Sequence, residues 1–312
     1  MTKHSQADSG SGQHVPYLEG DHLVRAIALK GQVRAVAVQG TEMVQELTKR
    51  HGLSPITAAA LGRLSMGAQL LSVDLDDDES MTVIVRGDGP IGTMTAVSDS
   101  AGYVRSLITN PVVEATYHSP GKLNVGAAVG SGTLTVIREI KNKQPQTGVV
   151  ELISGEIAED LTFYLASSAQ IPSIVALGVR VSGKVSEAAG LLIQLLPGAT
   201  EETISYLEAR AAGFPDISYL MAEGFNAAQL IDLFLGDPEL EYLGAYPTGF
   251  RCTCSVENMQ RALVTLGVED LHELAQDGGG IHITCDFCRT PYHFTQEEMQ
   301  GLLNDRLNSE GD

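Results

Sequence analysis

Apolar and polar positions alternate in two neighbouring stretches near the start of the chain, HLVRAIALK and VRAVAVQ, which flank Gly31 and Gln32. A period of two with a glycine between the runs predicts a β-hairpin. The period lengthens after Ser54. Ser54 suits an N-cap and Pro55 the first helical position, where no N–H is needed. Ala60, Leu61, Leu64, Ala68 and Leu71 then share one face of a predicted helix. An acidic turn, DLDDDES, follows. MTVIVRG and IGTMTAV read as strands joined by the turn Gly87-Asp88-Gly89-Pro90. GKLNVGAAVGSGTLTVI continues as strand-like sequence.

Ser154 is placed to cap a further helix with Glu156, Glu159 and Asp160 at its positive end. Ile157, Leu161, Tyr164, Leu165 and Ser168 form its apolar face, and Pro172 marks its stop. IVALGVRV and LLIQLLPG read as buried strands, and Pro197-Gly198 as a boundary. Beyond it, residues 199–246 hold nine acidic side chains and one basic, Arg210. Leu230, Ile231, Phe234 and Leu235 still give this segment an amphipathic helical stripe. Self-repulsion leaves it in need of a surface to pack on. In the final part Ser255 caps a helix carrying Met259, Leu263 and Leu266. Gly278-Gly279-Gly280 breaks the chain. IHIT-CDFC-RTPYHF reads as a hairpin, and Thr295 with Glu298 as the capping box of a last helix.

The pattern gives an α+β chain. Residues 1–16 are a polar, Gly/Ser-rich leader expected to be disordered. Residues 17–198 form an N-terminal mixed β-sheet and helix domain, residues 199–246 a helical acidic linker, and residues 247–312 a small zinc-binding module. No apolar run is expected to span a membrane, and the leader lacks the apolar stretch of a secretory signal. The net charge of −19 argues against nucleic acid and anionic membranes as partners. A reducing compartment follows, where paired cysteines favour metal or redox chemistry.

All four cysteines lie in the last fifth of the chain, as Cys252-Thr253-Cys254 and Cys285-Asp286-Phe287-Cys288, with 30 residues between the pairs. Four soft thiolates match one tetrahedral zinc site. The same set can hold two local disulfides. On an extended strand, Cys252 and Cys254 would point to one face and reach one metal together. His282 and His293 flank the second pair as possible substitutes, read more simply as hairpin residues. By spacing alone the set is an inert knuckle stapling a small module. Oxidation that removes the metal would, however, take away the energy that folds such a module. Other chemistry is thin. Gly130-Ser131-Gly132 lacks the rest of a phosphate loop and reads as a strand turn. Glu156, Glu159 and Asp160 read as a solvated helix start, and no nucleophile elbow is present.

Taken together, LVRAIALKGQVRAVAV, RHGLSPITAAALGRLSMGAQLL, the GDGP turn, NPVVE, SGEIAEDLTFYLASSAQIPSIVALGV, LLIQLLPGA, C-T-C-S, ALVTLGVEDLHEL and C-D-F-C-x-x-x-Y-x-F resemble the 33 kDa chaperonin family. The resemblance spans nearly the whole chain beyond the leader. It implies a cytoplasmic, ATP-independent holding chaperone, not an enzyme, inactive when reduced with one zinc on Cys252, Cys254, Cys285 and Cys288. It implies that oxidants pair Cys252 with Cys254 and Cys285 with Cys288, that zinc leaves, and that module and linker unfold. It implies unfolding proteins as clients and a homodimer in the oxidised state. Two rival classes are a constitutive zinc-stapled interaction protein and a thiol–disulfide oxidoreductase using Cys285 and Cys288.

Overall fold

A computed structural model describes residues 18–119, 121–276 and 280–310. The leader lies outside the described residues, as do Gly278 and Gly279. The expected first hairpin forms from β1 (His22–Ala28) and β2 (Val33–Gln39), antiparallel from His22↔Gln39 to Ala28↔Val33. Its turn holds Leu29, Lys30 and Gly31 at positive φ. Only Gly31 takes that conformation without steric cost. The Leu29 amide donates to Asp237 Oδ2 at 2.6 Å.

Helix α1 (Thr41–His51) follows, unforeseen in the sequence. Its N-cap position is Gly40, which has no side chain to offer. Asp21 supplies the cap instead, accepting from the amides of Glu42 at 3.0 Å and Met43 at 2.6 Å. Gly52 ends the helix in the left-handed conformation. Helix α2 (Pro55–Leu71) begins where expected. Ser54 accepts from no helix amide; its hydroxyl donates to the Val113 carbonyl at 2.9 Å and meets Thr57 Oγ1 at 3.0 Å. The single predicted face is too narrow: Ile56, Ala58, Ala59, Leu61, Leu64, Met66, Ala68 and Leu70 are all buried. A helix apolar around its whole circumference belongs inside a core. Residues 55–74 do reach the length and hydropathy of a membrane span, which corrects the earlier expectation. They are 83% buried by the protein's own elements.

Strands β3 (Ser80–Gly87), β4 (Thr93–Asp99) and β5 (Tyr103–Ile108) form an antiparallel meander. A short ladder, β6 (Tyr117–Ser119) with β7 (Lys122–Leu123), precedes α3 (Val125–Val129). Helix α3 corrects the strand reading of VGAAV; the Asn124 side chain caps it by accepting from Ala127 N. Strands β8 (Gly132–Glu139) and β9 (Gln146–Glu151) follow, so Gly130-Ser131-Gly132 is the turn that was expected. Helix α4 (Ala158–Ser167) starts later than predicted, after Ile157 at φ 73°. Asp160 is buried and accepts from the amides of Ile153, Ser154, Gly155 and Ile157 at 2.7–3.3 Å. Only Glu159 of the three acidic residues is exposed. The half-buried Glu156 binds Arg63, His118 and the Gly126 amide. The solvated helix start thus gives way to two carboxylates that organise backbone.

Strands β10 (Ser173–Ser182) and β11 (Lys184–Leu195) pair as a long hairpin. The acidic segment then forms α5 (Glu201–Ala212), α6 (Ile217–Ala222) and α7 (Ala227–Leu235), each capped by its own residue: Thr200, Asp216 and Asn226. It is not helical to its end, because β12 (Glu241–Pro247) pairs with β1.

Two sheets result. One is wholly antiparallel, in the order β10-β11-β2-β1-β12. The other runs β13-β5-β4-β3-β8-β9 and is mixed, because β13 (Gly249–Phe250) lies parallel to β5. Helix α2 sits between them, on β10 and β11 on one side and β4 and β5 on the other. The inner strands of the five-stranded sheet are buried on both faces. Leu23, Val36, Val38, Ala188 and Leu192 face the core around α2. Val24, Ala26, Ala28, Val33, Ala35, Ala37, Leu191 and Ile193 face Leu220, Leu230, Ile231, Phe234 and Leu235 of α6 and α7. Burial on both faces explains the near-continuous apolar runs of β2 and β11.

Asp21 joins these parts: its side chain caps α1, and its carbonyl accepts from Thr248 N just after β12. Burial raises its carboxyl to about 6, against the lowering effect of the two helix amides. A folded pKa above the unfolded one adds stability below about pH 4, which is lost as pH rises through 6. The shift corresponds to about 3 kcal/mol. Subtracting the urea unfolding curves of an Asp21→Asn variant from those of the wild type should reveal a difference that falls by roughly this amount between pH 4 and pH 7. A difference independent of pH would contradict it.

Candidate metal centre

The chain reaches its first two cysteines along a fixed path. Thr248 receives a 2.7 Å bond from Gln69 of α2. Gly249 and Phe250 pair with Tyr103 and Val104. Arg251 N donates to Val104 O at 3.0 Å, while its guanidinium pairs with Asp99 at 2.5 Å and lies 4.0 Å from the Tyr103 ring centre. Cys252 and Cys254 follow immediately, in a segment outside any strand. The strand expected here ends at Phe250. Ser255 then caps α8 (Val256–Val264), as predicted, accepting from Asn258 N. Leu263 is buried there, whereas Leu266 lies beyond the helix end and is exposed. Helix α9 (Val268–Gln276) follows.

The second pair comes from the expected hairpin, β14 (Ile281–Thr284) with β15 (Pro291–Phe294). Cys285 N donates to Thr290 O at 3.0 Å, and Arg289 N to Cys285 O at 2.8 Å, closing the turn that carries both cysteines. Helix α10 (Gln296–Glu310) begins with the expected capping box of Thr295 and Glu298. Leu263, Leu271, Ala275, Ile281, Phe294, Met299 and Leu303 are the buried core of this module.

The four cysteines are free thiols, with Cys285 and Cys288 buried and Cys252 and Cys254 half-buried. Their sulfurs all lie within 4.8 Å of one another. Cys254 is 3.2 Å from Cys288, and Cys252 is 3.9 Å from Cys285. A tetrahedral ion with sulfurs at about 2.3 Å places them about 3.8 Å apart, so the cluster is compatible with a metal site. A disulfide, at about 2.05 Å, is shorter than either contact. His282 and His293 stand outside the sulfur cluster.

The thiols differ in acidity. Burial pushes Cys252 up, helped by the neighbouring sulfurs of Cys285 and Cys288. Burial also raises Cys285, against hydrogen bonds from the turn amides of Cys288 and Phe287. Burial opposes ionisation of Cys288 as well, but the Thr290 hydroxyl, 3.2 Å away, and the Thr290 amide bring its thiol down to about 7. The Tyr292 phenol, 3.1 Å from the Cys254 sulfur, is held above its usual range by that contact. Packed sulfurs thus resist becoming four thiolates together unless a cation balances their charge.

The site is tied to the N-terminal part through residues to which the sequence reading gave no role, although Arg50 and His51 open the quoted string RHGLSPITAAALGRLSMGAQLL. Arg50 Nη1 donates to Cys288 O at 2.9 Å, and its guanidinium lies 4.8 Å from the Phe250 ring centre. His51 Nε2 meets Phe287 O at 3.0 Å, while its Nδ1 accepts from Arg289 Nε at 3.3 Å. Those partners require the neutral Nε2–H tautomer. Burial lowers the His51 pKa, and Arg289 and Arg50 lower it further, which keeps the ring neutral. Arg105 lies 5.2 Å from the Phe287 ring centre and donates to Thr253 Oγ1 at 3.0 Å. The basic ending of α1, Lys49-Arg50-His51, also suits a helix C-terminus and so does not by itself announce a dock.

A family model described as "Hsp33 protein" matches residues 21–295. The chain belongs to the Hsp33 family. Members with similar sequences include the 33 kDa chaperonin of Ruminiclostridium cellulolyticum, 41% identical over 92% of this chain and 99% of that protein. The 33 kDa chaperonin of Shouchella clausii is 40% identical over 91% of this chain and 98% of its own length. The crystal structure of the 33 kDa chaperonin of Thermotoga maritima superposes with a TM-score of 0.84 at 32% identity, covering 92% of this chain and 99% of that one. The mixed α/β N-terminal part, the helical linker and the small cysteine module are the architecture of an Hsp33 chain.

Charged donors to the carbonyls of the cysteine turn are worth about 1.5–3 kcal/mol each. Arg50→Ala should therefore loosen the module while leaving the cysteines intact. Limited proteolysis after Tyr246 should quicken by about tenfold or more in that variant, at unchanged stability of the N-terminal part. Equal cleavage rates would show that the dock carries no weight.

Proposed function

We propose that this chain is a redox-regulated, ATP-independent holding chaperone whose switch is the four-cysteine cluster. Membership in a family of non-catalytic chaperones makes it a chaperone and not an enzyme, which sets the oxidoreductase reading aside. The observation that carries the proposal is the route from the cysteines to an apolar sheet face. Cys252 follows β13, β13 follows β12, and β12 continues from the helices that cover that face.

In the reduced state Cys252, Cys254, Cys285 and Cys288 would hold one zinc. Bound zinc would neutralise four thiolates and cross-link the two segments of the module. Seven buried apolar side chains are a small core for residues 247–312. Such a module depends on the cross-link for its fold. Each disulfide would form as two thiolates give up two electrons to an oxidant such as hydrogen peroxide, which takes two protons from solvent and is reduced to two waters. The local pairs, Cys252 with Cys254 and Cys285 with Cys288, are those the family resemblance implies. Sulfurs spent in disulfides no longer offer thiolates, and the module loses its cross-link. The dock at Arg50, His51 and Arg105 then loses its carbonyl and ring partners. The acidic segment, carrying −8, loses the anchor at its C-terminal end. Its departure would uncover Val24, Ala26, Ala35, Ala37, Leu191 and Ile193, a fit surface for unfolding proteins.

On this reading residues 17–198 are the client-binding domain, residues 199–246 the linker and residues 247–312 the redox switch. The setting is cytoplasmic, the oxidised form a homodimer, and nucleic acid and membranes are not partners.

Light scattering of a heat-denatured client should fall in proportion to added oxidised protein and be unaffected by reduced protein. Suppression that ignores oxidation would favour a constitutive interaction protein. Native mass spectrometry of the reduced chain should show one zinc, diminished in each single Cys→Ser variant; full zinc in all four would exclude a four-thiolate site. Leu230 is fully buried against the sheet. Burying a charge there costs several kcal/mol, enough to free a marginal segment. Leu230→Glu should suppress client aggregation while reduced and still holding zinc. An inactive variant with full zinc and an undocked linker would separate linker release from client binding.

A further inference from the structure

We infer that His282 and His293 form a second metal site, a two-imidazole clamp for a divalent transition ion on the outer face of the cysteine hairpin. The two residues are directly opposed in the β14–β15 ladder. Their rings are 4.5 Å apart between centres and inclined at 48°. Strand alternation explains the placement. Ile281, Ile283, Tyr292 and Phe294 turn inward to the module core. His282 and His293 turn outward and are exposed. The pair therefore does no packing in the core, and it stands apart from the four sulfurs.

Two imidazoles at this separation can bind one ion at about 2.0–2.1 Å from each nitrogen after a small turn of their exposed side chains. Water completes the coordination, so the ion is exchangeable, unlike one enclosed by four thiolates. Imidazole donors select zinc, nickel or copper over magnesium and calcium. The surroundings favour a cation: Glu297 and Glu298 open the next helix, and His293 interacts electrostatically with Glu298. An ion shared by opposed residues also fixes strand register. This hairpin holds Cys285 and Cys288 at its turn, so an occupied clamp would keep that half of the thiol cluster folded when the sulfurs no longer bind a metal.

Nickel is the suitable probe, because it binds imidazole. Reduced, zinc-loaded full-length protein without an affinity tag is dialysed against nickel chloride, and both metals are counted in the same sample. One nickel per chain should bind at micromolar concentration, with zinc unchanged. Binding should weaken by about tenfold or more in His282→Ala and equally in His293→Ala. Paramagnetic broadening of the His282 and His293 ring signals in the wild type gives a reading that needs no variant. Equal uptake by wild type and both variants would assign the nickel to other groups and overturn the site. So would the absence of uptake up to millimolar nickel, or broadening that spares both rings. None of these results depends on whether the protein is a redox-switched chaperone.

Discussion

Four sulfur atoms from two distant chain segments meet within 4.8 Å, and they join the two halves of a module that has only a small apolar core among its described residues. Among the described residues, seven buried apolar side chains make the core of that module. A core so small supplies little stability by itself, whereas a structural metal on four thiolates can supply about 10–16 kcal/mol. On the proposed reading, thiol chemistry that consumes the four sulfurs is folding chemistry for the module. The acidity pattern points the same way. Burial holds Cys252 and Cys285 up, while Cys288 lies near 7 because Thr290 stabilises its thiolate. Cys288 sits on the turn that Arg50 and His51 grip.

The grip gives the cluster its reach into the rest of the molecule. Helix α1 touches the cysteine turn with its C-terminal end and takes its N-terminal cap from Asp21. Asp21 in turn holds Thr248, between β12 and the cysteines. Module, helix and linker strand thus form one closed circuit of contacts. The acidic helices lie on the apolar sheet face inside that circuit. Their burial of Leu230, Phe234 and Leu235 opposes a segment charge of −8. A cover balanced in this way can be released by a change at one end.

Much of this was legible in the sequence where the determinants are local. Both predicted hairpins, the Ser255 cap, the Thr295–Glu298 box and the apolar stripe of α7 each depend on neighbouring residues, and each is present. Some of the readings that failed depend on distant partners, others on a neighbour whose side chain takes a different part. Helix α1 has no cap of its own because Asp21 provides it. The strand at the end of the acidic segment exists because β1 pairs with it across the fold. Ser154 does not cap α4 because Asp160 gathers the amides around it into another turn. The four-cysteine set was plain from residue type and spacing. Its dock was not, since His51 and Arg50 are ordinary residues for a helix end until Phe287 and Cys288 arrive beside them.

The central claim is that the state of four sulfurs decides whether the linker covers the sheet. Hydrogen exchange measured residue by residue on reduced and fully oxidised protein, with zinc counted in the same samples, tests it most directly. Oxidised, zinc-free protein should lose protection from α5 through α10, including β12 and β13, while α2 and β3–β5 keep theirs. Full loss of zinc with unchanged exchange across residues 199–250 would contradict it.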